Sequence, residues 1–254
     1  MSDFSAFSLA GKRILVTGAN TGIGQGIAVS VARAGGVVVA VGRSSMDETA
    51  SKVDAAGGQF EPVHADLANP SAAVAILDRV WDESGPLDGL VNNAGIIRRA
   101  DAVDLSEADW DDVLDVNLKT VFRLCQSFGR RVLAEGRQGR IVNIASVLSF
   151  QGGIRVASYT ASKHGVLGIT RLLACEWAAK RINVNAIAPG YVETNNTQAL
   201  RADPDRSAAI LSRIPAGRWG EPGDIGDAAV FLLAPASTYM HGAVVPVDGG
   251  WLAR

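Results

Sequence analysis

Short apolar runs alternate with longer helical patterns along the 254 residues, and this alternation most constrains the fold. The runs are rich in β-branched residues and have the length of strands, whereas residues 22–34, 107–134 and 158–180 show helical apolar spacing. Strands that alternate with helices predict βαβ units in a parallel sheet covered on both faces. Right-handed crossovers then give a doubly wound α/β fold. The predicted strands are residues 14–17, 37–41, 60–64, 87–91, 140–144, 182–188 and 244–247.

The first predicted strand runs into a glycine-rich turn that opens the first helix. Gly18 permits a tight turn, Gly22 lets the backbone approach a phosphate, and Gly24 lets the helix pack against the sheet. The unpaired N–H groups and the positive dipole end at that helix N-terminus suit a pyrophosphate. The turn therefore predicts a Rossmann-like dinucleotide site, although an ordinary strand-to-helix turn is the alternative. We assign to this site Gly18, Asn20, Thr21, Gly22, Ile23 and Gly24.

The end of the second predicted strand bears on the choice of cofactor. NAD-binding sheets often carry an acid there for the ribose 2′-hydroxyl, but this chain has Arg43, whose guanidinium can pair with a 2′-phosphate. We expect NAD or NADP, with Arg43 favouring NADP. Alternatively, Arg43 stacks on adenine without discriminating, and Asp47 or Glu48 repels a phosphate. Asp66, with Leu67 beside it, is assigned to the adenine end, although a lone Asp is also a common turn residue.

We expect one domain, residues 1–254, because no linker or internal repeat divides the sequence. Its least regular region, residues 191–220, follows the sixth predicted strand, at the edge where open α/β sheets bind ligands. We interpret this polar segment as a substrate lid and call it the lid segment.

Charge and composition argue against several other classes of protein. The net charge is −2 with acids and bases mixed, so the sequence lacks the clustered basic face of a nucleic-acid binder. No apolar run approaches the roughly 18–20 residues that span a bilayer, and residues 1–10 do not resemble a signal peptide. Cys125 and Cys175 lack metal-ligand spacing, as do the three histidines. We expect reduced thiols, no metal and a cytoplasmic protein; a disulfide or a metal site is the alternative.

A phenol and an amine four residues apart, Tyr159 and Lys163, are expected to share one helix face. A cation at about 4 Å is worth roughly 4 kcal/mol at an effective dielectric of 20, or about three pKa units. Lys163 is therefore expected to lower the pKa of Tyr159 toward the range of acid/base catalysis. Such pairs also occur on solvated helix faces. Ser146, Asn93 and Pro189 follow the fifth, fourth and sixth predicted strands, so they are expected at the same sheet edge.

Together these motifs resemble the short-chain dehydrogenase/reductase family. They occur in order over nearly the whole chain: residues 17–24, residues 92–95 (Asn-Asn-Ala-Gly), Asn117, Ser146, Tyr159 with Lys163, and Pro189 with Gly190. The resemblance implies NAD(P)-dependent oxidoreduction of CH–OH groups by a cytoplasmic homotetramer. It implies that Tyr159 is the acid/base and that Lys163 holds the nicotinamide ribose. It also implies that Ser146 hydrogen-bonds the reacting oxygen and that Asn117 anchors a proton-relay water. The residues implied to flank the cofactor are Asn93, Ala94, Gly95, Tyr159, Lys163, Pro189, Gly190, Val192 and Thr194.

Residues 94–99, 149–155, 189–197, 214–220 and 248–254 more narrowly resemble the branch of this family that acts on sugar acids. That resemblance implies a deoxy-ketogluconate-like substrate from uronate catabolism, in a branch mostly associated with NAD. A sugar acid needs a cation for its carboxylate and polar groups for its hydroxyls. Arg155 is the first choice, because four residues before Tyr159 it could share that helix face, and Arg99 is a further candidate. The proposed substrate-binding residues are Arg98, Ser146, Gln151, Arg155, Tyr159 and Asn195.

Two alternatives stay open at this stage. A 3-oxoacyl carrier-protein reductase would keep the chemistry but would need a basic docking face and an open apolar channel, and the polar residues 194–197 argue against it. A non-catalytic dinucleotide sensor should lack part of the tetrad, whereas all four residues are present here.

Overall fold

Seven parallel strands form one sheet within residues 5–254, the part of the chain that the computed structural model describes. The order β3-β2-β1-β4-β5-β6-β7 reverses direction between β1 and β4, which opens a crevice at their carboxyl ends. The predicted doubly wound α/β fold and all of its predicted strands are confirmed. The interpretation of residues 1–10 rests partly on residues 1–4, which lie outside the described range. The strands are β1 (Arg13–Thr17), β2 (Val37–Gly42), β3 (Gln59–His64), β4 (Gly89–Asn92), β5 (Gly139–Ile144), β6 (Ile182–Pro189) and β7 (Val244–Val247).

Helices cover both faces of this sheet, and successive strand residues supply the two cores. On β1, Ile14 and Val16 pack into the core on one face of the sheet, whereas Leu15 packs into the core on the other face. The continuous apolar sequence of β2 follows the same alternation and is buried on both sides. The helices are α1 (Gly22–Arg33), α2 (Asp47–Ala55), α3 (Pro70–Ser84), α4 (Glu107–Leu114), α5 (Thr120–Ala134), α6 (Ala157–Trp177), α7 (Gln198–Ala202), α8 (Pro204–Leu211) and α9 (Pro222–Leu233).

The helix predicted for residues 107–134 is interrupted. A π-helical turn, Asp115–Lys119, separates α4 from α5. Such turns add a residue to the helical repeat and often lie at functional sites. This one carries Asn117, which is fully buried. The lid segment is also more regular than predicted, because it contains a 3₁₀ turn (Asn195–Thr197), α7 and α8. Among residues 5–254, no helix combines the length and hydropathy that crossing a bilayer requires.

Candidate active site

The glycine-rich turn after β1 forms a cradle of backbone N–H groups. Gly18 and Gly22 have φ values of +66° and +55°, a region that suits glycine. A Cβ at Gly24 would lie 2.1 Å from the carbonyl oxygen of Gly18, so only glycine allows α1 to begin this close to β1. The first turn of α1, after its N-cap Thr21, contains no acid. The positive end of this helix is therefore available to a diphosphate, and the residues fit a dinucleotide.

The end of β4 fixes the position of this cradle. The Asn93 side chain donates to the carbonyl oxygens of Thr17 and Gly18 at 2.9 and 3.2 Å. In return, the hydroxyl of Thr17 accepts from the backbone N–H groups of Asn93 and Ala94, both at 3.0 Å. The carboxyl ends of β1 and β4, which flank the crevice, are thereby held together.

One cavity of about 590 Å³ extends from the cradle along the carboxyl ends of the strands. It joins the predicted cofactor residues to Ser146 and Tyr159, so a dinucleotide and a small substrate could lie end to end. Four predicted site residues do not line it: Gly24, Asn117, Gln151 and Arg155. The predicted residues that do line it are Gly18, Asn20, Thr21, Gly22, Ile23, Arg43, Asp66, Leu67, Asn93, Ala94, Gly95, Arg98, Ser146, Tyr159, Lys163, Pro189, Gly190, Val192, Thr194 and Asn195.

At one end of the cavity, Arg43 is exposed and has no ion-pair partner among the described residues. Of the two acids that could repel a phosphate, Glu48 is neutralised by a cation, and Asp47 is held by a neutral hydroxyl. Glu48 pairs with Lys52 at 2.7 Å, and the carboxylate of Asp47 accepts from the Ser45 hydroxyl at 2.8 Å. The charge on Arg43 is therefore free to meet an anion from the cavity.

Asp66 makes a turn contact and also lines the cavity. One carboxylate oxygen accepts from the backbone N–H of Ala68 at 3.0 Å, as a turn residue does. The side chain is nevertheless at the cavity wall, and the buried Leu67 lines the same cavity. No described residue donates to its second oxygen, as the predicted contact with an adenine amino group requires.

Tyr159 and Lys163 lie on α6, opposite the end of β5. The Lys163 ammonium is almost fully buried, donates to the carbonyl oxygen of Ile144 at 2.6 Å and lies 5.6 Å from the centroid of the Tyr159 ring. The hydroxyl of Ser149 donates to the Lys163 carbonyl oxygen at 2.7 Å. These contacts tie the loop that carries Ser146 to the helix that carries Tyr159, and they leave two N–H donors of Lys163 unused.

The protonation of this pair differs from the expectation. Burial raises the pKa of Tyr159 above its ordinary value, while a hydrogen bond with Ser146 and the charge of Arg99 act in the opposite direction. Burial also lowers the pKa of Lys163 to about 8. The prediction that Lys163 brings the pKa of Tyr159 below its ordinary value is therefore wrong. Desolvation raises the pKa of the phenol by more than the nearby charges lower it. At neutral pH Tyr159 is a protonated phenol, which can donate to a ketone oxygen.

Asn117 holds backbone instead of facing the cavity. Its carbonyl oxygen accepts from the Ile96 N–H at 2.8 Å, and its amide donates to the Ile96 carbonyl at 2.9 Å and to the Ser162 hydroxyl at 3.4 Å. Both side-chain groups are therefore hydrogen-bonded, and the carbonyl oxygen keeps one lone pair that could accept from the implied water. The side chain positions the segment after β4.

Arg155, the first choice for the substrate carboxylate, is not placed as expected. Its φ is +62°, and α6 begins only at Ala157, so Arg155 cannot share a helical face with Tyr159. The exposed guanidinium lies 3.3 Å from Asp101. The expectation failed because helical spacing was extended past the start of the helix.

The neighbouring residues Arg98 and Arg99 differ in their ion-pair partners. Arg98 lines the cavity but pairs with Asp109 at 3.1 Å and Asp112 at 3.3 Å on α4. Arg99 has no carboxylate partner in the described part of the chain, donates to the carbonyl oxygen of Asn196 at 3.2 Å, and is the cation whose charge acts on Tyr159. The sequence analysis ranked Arg99 below Arg155. Asp109 and Asp112 are three residues apart on a predicted helix, and this spacing could have indicated that they would neutralise one of the two arginines.

The arrangement fits a proton donor beside a hydride carrier. A nicotinamide cofactor, when bound, supplies or accepts a hydride. The hydroxyls of Ser146 and Tyr159 can hold the reacting oxygen, and Tyr159 can give it a proton or take one. No group of three or more His, Cys, Asp or Glu side chains within residues 5–254 could hold a metal ion.

Comparisons with known proteins cover nearly the entire chain. A family model described as enoyl-(acyl carrier protein) reductase matches residues 18–252. The 2-dehydro-3-deoxy-D-gluconate 5-dehydrogenase of Escherichia coli K12 is 56% identical over 250 residues, 98% of this chain and 99% of that protein. A 3-oxoacyl-(acyl-carrier-protein) reductase of Vibrio cholerae is 38% identical over 243 residues, 96% of this chain and 98% of that protein. A crystal structure of an Agrobacterium tumefaciens protein with bound NADP is 60% identical, with a TM-score of 0.93, and the match covers 98% of this chain and 99% of that chain.

Proposed function

We propose that this chain, which belongs to the short-chain dehydrogenase/reductase family, interconverts a hydroxyl and a ketone on a deoxy-ketogluconate-like sugar acid. It is an NAD(P)-dependent oxidoreductase, and the predicted family is confirmed. In our proposal Tyr159 exchanges the proton, Ser146 holds the reacting oxygen, and Lys163 binds the nicotinamide ribose. Asn117 acts as a positioning residue through Ile96.

The observation that carries the substrate proposal is the uncompensated charge of Arg99. Its exposed guanidinium does not line the cavity, but it has no carboxylate partner among the described residues, donates to the cavity residue Asn196, and its charge lowers the pKa of Tyr159. A guanidinium binds a carboxylate through charge-assisted hydrogen bonds. The lid segment adds Asn195 at the cavity wall, which can bind hydroxyls. These features suit a short polyhydroxy acid better than the acyl chain of a carrier-protein substrate.

The test follows oxidation of NADH and NADPH in parallel with ketogluconate-type and unsaturated-uronate-derived acids, an uncharged keto sugar, and an acetoacetyl thioester. We expect turnover with the sugar acids, weak turnover with the uncharged sugar and none with the thioester. Turnover with the thioester alone would overturn the substrate proposal and favour a carrier-protein reductase.

An Arg99→Ala variant should lower kcat/KM for the sugar acid by about 10- to 100-fold, the effect of losing a charged hydrogen bond. Most of that loss should appear in KM, and the uncharged keto sugar should be insensitive to the change. Arg155→Ala measured in parallel distinguishes the two candidates. A loss in Arg155→Ala but not in Arg99→Ala would restore the choice made from the sequence.

We also propose that NADP is the preferred cofactor, because Arg43 is unpaired among the described residues and the nearby Glu48 is neutralised by Lys52. Arg43→Ala is expected to raise KM for NADPH by about 10- to 100-fold, through loss of a charge-assisted contact with the 2′-phosphate, and to leave KM for NADH nearly unchanged. Arg33→Ala, an equally exposed arginine at the far end of α1, is the matched control. Equal losses with both cofactors would mean that Arg43 only stacks on adenine.

We further propose that residues 1–254 act as one domain, with residues 191–220 as a lid. The resemblance to the family supports a cytoplasmic homotetramer. The mixed charge of the chain supports a small-molecule partner and no nucleic acid.

A further inference from the structure

Residues 248–254 fold back toward residues 190–194, which we call the root of the lid segment. After β7, the carboxylate of Asp248 accepts from the backbone N–H groups of Gly250 and Leu252, both at 2.9 Å. Gly249 and Gly250 have φ values of +63° and +87°, which a residue with a side chain rarely adopts. This turn points the Trp251 side chain inward, where it is 6% exposed.

The Trp251 ring contacts three separate segments. Its Nε1 donates to the side-chain oxygen of Gln151 at 2.9 Å, in the loop that follows Ser146. Its ring centroid lies 4.7 Å from that of Tyr191, and the Arg213 guanidinium lies 4.1 Å from the centroid of the Trp251 ring. We call Tyr191, Trp219 and Trp251 the aromatic latch, because the Tyr191 and Trp219 rings also meet edge to face at 5.6 Å.

The root of the lid segment lies between two cavities, so the Trp251 contacts are important for its position. Gly190, Val192 and Thr194 line the 590 Å³ cavity, while Tyr191 and Val192 line a second cavity of about 210 Å³ behind it. Backbone hydrogen bonds with Gly220 hold one side of the root. Because residues of the root line both cavities, we infer that the ring contacts of the latch limit how far the root can move.

We propose that Trp251 is a positioning residue that sets the distance between the loop after Ser146 and the root of the lid segment, and so the width of the substrate end of the site. Gln151 then acts as the partner of Trp251 and not as a substrate ligand, since its oxygen is bound and it does not line the cavity. The inference rests on the proposed function for the identity of the substrate, but its conformational consequence does not.

The first test measures hydrogen exchange by mass spectrometry in Trp251→Phe. This change keeps a ring but removes the N–H, so amide exchange over residues 190–214 should accelerate about tenfold. Trp81→Phe is the matched control, because Trp81, on α3, is 5% exposed and its Nε1 donates to Glu135, at the end of α5, at 2.7 Å. Exchange over residues 190–214 that is equal in the two variants would overturn the proposal.

The second test is kinetic. Trp251→Phe should raise KM for the sugar acid by about fivefold, the effect of one lost hydrogen bond, and alter KM for NADPH less than about twofold, since the cradle and Arg43 lie on other elements. Gln151→Ala should have the same effect, and the double variant should be no worse than either single variant. Additive losses would contradict the coupling. A wild-type enzyme inactive on every sugar acid would refute the proposed function, while hydrogen exchange would still decide the role of Trp251.

Discussion

Replacement of Tyr159 by Phe is expected to lower kcat by about 10²- to 10⁴-fold, the usual contribution of a positioned general acid or base. The substitution removes only the phenolic oxygen, so the ring on α6 and the cavity it lines are kept. Because the pKa of this phenol is raised above its ordinary value near 10, the group is protonated at neutral pH, and in our proposal it is the proton donor for ketone reduction. Steady-state kcat with NADPH and the sugar acid measures the effect, and KM for the cofactor should change little.

Tyr239→Phe is the matched control, because Tyr239 is 99% exposed and loses the same hydroxyl. It should turn over at the wild-type rate. Full activity in Tyr159→Phe would remove Tyr159 from the chemistry. Loss of NADPH binding in that variant, measured by quenching of tryptophan fluorescence, would instead indicate a damaged site.

The sequence predicted the sheet and the place of the site well, for a physical reason. A strand buried on both faces must be apolar along its length, as β2 is, and parallel strands bring their carboxyl ends to one edge. Residues that directly follow strands, such as Asn93 and Ser146, therefore converge on the same cavity without any knowledge of tertiary packing. The glycine turn was equally predictable, since the close approach at Gly24 excludes any side chain.

Features that depend on desolvation or on exact helix boundaries could not be predicted in this way. The apolar periodicity of residues 107–134 continues through the π turn, so nothing in the pattern signals the extra residue near Asn117. The position of Arg155 depends on where α6 begins, and a left-handed arginine has no sequence signature. The raised pKa of Tyr159 reflects burial, which a spacing of four residues from Lys163 does not reveal. Helix α2 was missed because its sequence is mostly polar.

Replacement of Lys163 by Met is expected to lower kcat/KM by about 10²- to 10³-fold, through loss of the proposed ribose ligand and of the cation beside Tyr159. The side chain keeps a similar volume in its buried site, so the fold should survive. Lys180→Met, an exposed lysine in the turn after α6, is the control and should retain wild-type kinetics. Wild-type kcat/KM in Lys163→Met would show that the buried ammonium takes no part in binding or catalysis.

The same variant tests the electrostatics of the buried ammonium through the pH dependence of stability. The pKa of Lys163 is about 8 in the folded protein, against an ordinary lysine value of 10.5, so between these values the unfolded chain binds more protons. Stability should therefore rise with pH through this window, and the raised pKa of Tyr159 should oppose the rise only above about pH 10. From pH 8 to 10, the wild-type free energy of unfolding should increase by about 2 kcal/mol relative to Lys163→Met. Urea unfolding at pH 8, 9 and 10 measures this difference. Parallel curves for the two proteins would mean that the ammonium reaches water, and Lys163 would then lack the desolvated environment from which its strong interaction with a bound ribose is expected.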